Sequence, residues 1–170
     1  GYWLSGGNTA WLWVVNAMIL LNWWGDSLDG TLARVRNRQR PRYGFYVDHV
    51  IDAVSAVLLL GGLALSGYMS AAVAAALLVA FLLLAVESYL ATYTLGTFRL
   101  SHGLFSPTEL RLLLMIGNVA LFTRTEATIL GGRYLPFDVG GVIGVAGMLL
   151  LFASAATWNT TALYGQERLP

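Results

Sequence analysis

The run Gly44-Phe45-Tyr46-Val47-Asp48-His49-Val50-Ile51-Asp52-Ala53-Val54-Ser55-Ala56-Val57-Leu58-Leu59-Leu60-Gly61-Gly62-Leu63-Ala64-Leu65-Ser66 is apolar over most of its length yet carries two aspartates. A helix over 44–66, at about 1.5 Å per residue, is long enough to cross a hydrocarbon layer of about 30 Å. Four more such stretches can be drawn outward from it, at 9–33, 70–95, 107–124 and 139–163. Composition agrees: 57% of the chain is hydrophobic and 11% charged, with a mean hydropathy of +0.66, whereas a soluble domain is about a quarter charged. No stretch has the alternating pattern of an outer-membrane barrel strand. The expected fold is therefore all-α: a polytopic membrane helix bundle of about five transmembrane helices, forming a single domain over 1–170.

The connections are short except for 125–138, where Gly131-Gly132 and Pro136 interrupt any helical reading. Every basic residue is an arginine, and five of the ten crowd into the first connection as Arg34, Arg36, Arg38, Arg40 and Arg42. By the positive-inside rule that connection faces the cytoplasm, and alternation places Arg99 and His102 on the same side and 125–138 on the other. Trp3, Trp11 and Trp13 then fall toward the outer interface and Trp23 and Trp24 toward the inner one, as an aromatic belt does. Arg36, Arg38, Arg40 and Arg42 read as topology-setting charges that attract anionic headgroups. A bacterial-type inner membrane fits, and no nucleic-acid partner is expected.

Within the first two stretches lie Asp26, Asp29, Asp48 and Asp52, each costing about 2.5–3.5 kcal/mol on membrane-insertion scales. Asp26 and Asp29 are three apart and Asp48 and Asp52 four apart, so each pair shares one side of its helix. The linker 35–43 turns the chain back and should make the two helices antiparallel neighbours. Two facing pairs offer up to eight oxygens to one small volume, which suits a hard divalent cation such as magnesium, manganese or calcium. Without a cation the four charges repel. The chain has no cysteine, and His49 and His102 are too few for a histidine-built zinc centre. Gly30 and Gly44 remove side chains where a ligand or helix must come close, Thr31 offers a hydroxyl, and Arg34 can grip a phosphate. A solvated network of these aspartates with the arginines is the plainer alternative. Salt bridging, however, gives no reason for glycines at fixed offsets from the acids.

Asp26-Ser27-Leu28-Asp29-Gly30-Thr31-Leu32-Ala33-Arg34, nine residues, then Gly44-Phe45-Tyr46-Val47-Asp48-His49-Val50-Ile51-Asp52 resembles the complete signature of the CDP-alcohol phosphotransferase family. All eight signature positions are present, over 27 of the 170 residues. The resemblance implies a six-helix membrane enzyme of phospholipid biosynthesis that displaces CMP from a CDP-linked alcohol by a second alcohol, forming a phosphodiester. It implies a magnesium or manganese cofactor, a CDP-alcohol donor and alcohol acceptor of which at least one is a lipid, and a tendency to form homodimers. Asp26, Asp29 and Asp48 resemble the metal-holding acids, with Asp29 the bridge if two metals bind, and Asp52 resembles the general base. Gly30, Ala33 and Gly44 would leave room for the CDP group beside Thr31 and Arg34. That signature falls in the family's second and third helices but in the first and second stretches here. With the opening Gly1-Tyr2-Trp3-Leu4 lacking a methionine, a further helix is expected upstream of Gly1.

Lesser candidates surround this motif. His49 gives Asp-His-x-x-Asp, similar to the choline and ethanolamine branch of the family; a histidine turned to a neighbouring helix is the alternative. Glu109 in Ser106-Pro107-Thr108-Glu109 reads as a capping box and also as a substrate contact. Glu87, beside Ser88 and Tyr89 deep in the third stretch, reads as a polar contact between helices or a functional acid. Arg99 and Arg111 are candidates for a second phosphate site. The rival function is a membrane cation transporter with the acids as permeation site, but cation transport gives no role to Arg34. A non-catalytic scaffold leaves the acids without a role.

Overall fold

The structure, a computed structural model, describes residues 1–36, 40–96, 107–123, 127–129 and 132–167, without the side chains of 26–27, 29–34, 107–110 and 127–129. Six helices follow in order: α1 (Tyr2–Ser5), α2 (Trp11–Val35), α3 (Pro41–Ser66), α4 (Ala71–Leu95), α5 (Pro107–Ala120) and α6 (Pro136–Gln166). Among the described residues, three of them, α3, α4 and α6, are long and apolar enough to span a membrane. This is an all-α membrane bundle. Its outward faces are apolar, with Leu58, Ile143 and Leu150 exposed, as lipid contact allows.

The ends of these helices follow from local chemistry. Pro41 and Pro136 stand in the first turns of α3 and α6, where a missing N–H costs no hydrogen bond. Ser70 caps α4 by accepting from the Val73 amide at 3.4 Å. Gly67 (φ 80°) and Gly96 (φ 65°) end α3 and α4 in the left-handed conformation that a Cβ disfavours. In α5 the 14 residues reach only about 21 Å, shorter than the stretch drawn from sequence. Its last turn tightens, the Phe122 and Thr123 amides bonding back three residues to Val119 and Ala120. Within the region read as a helix-breaking loop, Ala127–Ile129 (β1) pairs antiparallel with Gly132–Tyr134 (β2).

The main pairings are α4 with α6, α3 with α4, α1 with α3 and with α2, and α2 with α5. Packing of α2 directly on α3, which the short linker suggested, is not among the main pairings of the described residues. Both helices instead meet α1, and Tyr2, Leu12, Val15, Ile19 and Leu63 join one buried cluster. A polar network runs through that end. The Tyr2 hydroxyl donates to Asn118 Oδ1 at 2.8 Å, and Asn118 Nδ2 donates to Asn16 Oδ1 at 2.7 Å. Burial pushes the Tyr2 phenol up to about 12, against the opposing effect of its Asn118 bond. Among the described residues every buried side-chain nitrogen and oxygen has a partner, as an apolar setting demands.

Helices α4 and α6 run parallel. Asp138 in the first turn of α6 accepts from the Ser70 amide at 2.7 Å, and Asn159 near its other end donates to Glu87. Membrane helices gain little from apolar burial against lipid and rely on close approach at small residues. Gly141 supplies that approach: a Cβ there would strike Val73 and crowd Leu77 and Met69. Gly141→Leu is expected to destabilise the bundle by about 1–3 kcal/mol through overpacking, read as a lowered unfolding midpoint in detergent. An unchanged midpoint would mean that α4 and α6 do not pack through Gly141.

Candidate functional site

Both halves of the signature are helical. Asp26, Asp29, Gly30, Thr31, Ala33 and Arg34 fall in the last turns of α2, with side chains outside the described residues. Gly44, Asp48, His49 and Asp52 fall in the first three turns of α3. Chain direction then brings to one end of the bundle the last turns of α2, α4 and α6 and the first turns of α3 and α5. Glu109 lies in the first turn of α5, its side chain outside the described residues; Arg99 lies outside them altogether. Arg111 is half-buried in α5 at the same end and has an interaction partner.

Asp48 and Asp52, one turn apart, are exposed on the same face of α3. A Cβ on Gly44, one turn before Asp48, would meet nothing within 4 Å. Packing among the described residues therefore does not require this glycine. Among those residues no three acids or histidines converge, and the other two aspartates of the signature are in the α2 half outside them. Two aspartate carboxylates a turn apart are hard oxygen donors suited to magnesium or manganese.

His49 turns from Asp48 into the seam with α4. Its Nδ1 lies 2.6 Å from the Phe45 carbonyl oxygen; since a carbonyl only accepts, that nitrogen carries the proton. Its ring stacks on Phe45 with centroids 4.1 Å apart and meets Tyr89 of α4 edge to face at 4.7 Å. Phe45 and Tyr89 are 6.2 Å apart at 74°.

Two residues earlier, Glu87 points the other way, because a helix turns about 100° per residue. It is 8% exposed and accepts a 2.5 Å hydrogen bond from Asn159 Nδ2 of α6. Glu87 is thus a polar contact between helices, one of the two roles its position suggested, while Tyr89 packs on Phe45 and His49 of α3. The sequence showed Glu87-Ser88-Tyr89 as a polar interruption but not which member faced the aspartates. The helical period could have placed Glu87 and Tyr89 on opposite faces, though not oriented those faces. Open grooves lined by Ala76, Val145 and Leu149 between α4 and α6, and by Asn16, Met115 and Val119 on α2 and α5, are apolar and apart from the acids.

Compared with known proteins, the chain matches no family model, no curated sequence and no solved structure.

Proposed function

We propose that this membrane protein is a metal-dependent CDP-alcohol phosphotransferase of phospholipid synthesis, its active site at the bundle end that holds Asp48 and Asp52. One observation carries the reading: the aspartate signature runs in sequence from α2 into α3, with its last two acids exposed on one face one turn and two turns beyond Gly44. The arginines at 34–42 support a cytoplasmic position for that end through the positive-inside rule. Asp26, Asp29 and Asp48 would hold magnesium or manganese, with Asp52 close by. Such an ion, when bound, supplies charge neutralisation to the diphosphate.

The chain's own residues do the rest. Arg34 contacts phosphate, while Gly30, Ala33 and Gly44 admit the CDP group. Asp52 takes the proton from the acceptor hydroxyl. That oxygen forms a bond to the phosphorus bearing the donor alcohol, the bond from phosphorus to the CMP oxygen breaks, and CMP leaves with the electron pair. Purified protein in lipid is expected to release CMP from at least one of CDP-diacylglycerol, CDP-choline and CDP-ethanolamine when acceptor alcohol and magnesium or manganese are supplied. Asp48-His49 next to Asp52 makes the amino-alcohol donors the first to try. No release from any donor with either metal would defeat the reading.

A further inference from the structure

Tyr89 of α4 packs on the Phe45–His49 pair of α3, beside Asp48, which adjoins His49 in sequence. Its ring is half-buried, and its hydroxyl makes no hydrogen bond among the described residues. A polar hydroxyl at membrane depth lacks water to bond with and gains from a partner. The neighbouring charges are carboxylates, so an arginine or lysine here would be drawn into an ion pair with them. A phenol keeps its proton and stays available to an anionic oxygen brought in by substrate. Its direction is set from behind: the buried Glu87–Asn159 bond on the opposite face of α4 fixes how that helix is rotated against α6.

We propose that the Tyr89 hydroxyl donates a hydrogen bond to a non-bridging oxygen of the phosphate being transferred, and that Glu87 and Asn159 are positioning residues that hold it there. This rests on the transferase reading above. During displacement, charge spreads over the non-bridging oxygens of the phosphorus, and a donor fixed beforehand stabilises that charge without reorganising. No covalent bond to Tyr89 forms, and its proton is not transferred.

The test compares the unsubstituted protein with Tyr89→Phe, which retains the ring against His49 and removes only the hydroxyl. CMP release is measured with CDP-diacylglycerol, CDP-choline and CDP-ethanolamine, magnesium and acceptor alcohol. Tyr89→Phe is expected to lower kcat about ten- to a hundredfold with little change in KM, as loss of one hydrogen bond to a charged group does. A donor with sulfur replacing one non-bridging oxygen of the transferred phosphate should erase this difference for one of its two diastereomers. Glu87→Leu should lower kcat in the parent and have a smaller effect in the Tyr89→Phe background, whereas Glu87→Gln, which still accepts from Asn159, should retain activity. An active parent with Tyr89→Phe at full kcat, or an equal loss with both thio diastereomers, overturns the inference alone. A parent that releases no CMP overturns the transferase reading, and the inference falls with it.

Discussion

Asp52→Asn is expected to abolish transfer while leaving donor binding largely intact. The substitution preserves the size of the side chain and its exposed place on α3, one turn beyond Asp48, but an amide does not take a proton from an alcohol at neutral pH. Positioned general bases contribute about a hundred- to ten-thousandfold, so CMP release should fall by that order. Binding of the CDP-alcohol, measured separately by calorimetry with metal present, should change far less, since Asp26, Asp29 and Asp48 remain to hold the cation. Full turnover by purified Asp52→Asn protein would remove the base assignment and return Asp52 to the metal-holding set. Loss of binding together with turnover would point the same way.

Asp29→Ala should act on the other side of that division, removing metal-dependent nucleotide binding. Asp29 has Gly30 beside it and Arg34 five residues on, so on the proposed reading the position would join metal and phosphate functions. Loss of outer partners of metal ligands already costs about ten- to a hundredfold in affinity; loss of a bridging carboxylate should cost at least about a hundredfold. In the parent protein, donor affinity should rise with magnesium or manganese and collapse on chelation. In Asp29→Ala it should be weak at every metal concentration. A variant whose binding responds to metal as the parent does would exclude Asp29 from the site.

How much of this was legible beforehand differs between elements. The stretches drawn at 44–66, 70–95 and 139–163 correspond to α3 (Pro41–Ser66), α4 (Ala71–Leu95) and α6 (Pro136–Gln166), because length and hydropathy are local properties that a membrane reads residue by residue. The four-residue α1 carries no such signal, and it is held by contacts with the next helix, α2, and with α3, which is distant in sequence. Pairing of β1 with β2 was equally hidden, since Gly131-Gly132 indicates a break in helix without indicating what replaces it. The aspartate spacing, in contrast, required only the helical period, so Asp48 and Asp52 could be placed on one face of α3 from the sequence.

By itself the sequence determined that this chain forms apolar helices, that their polar exceptions gather near the first connection, and that the acids there recur at helical spacing. Tertiary structure decided which neighbour those acids have. Helix α4 is almost uniformly apolar around its circumference, so hydropathy does not say which side faces α3 and which faces α6. Gly141 against Val73, Asp138 on the Ser70 amide and Asn159 on Glu87 decide it. Close packing and buried hydrogen bonds are directional where apolar burial is not. That direction turns Glu87 into the α4–α6 contact and brings Tyr89 against Phe45 and His49 of α3.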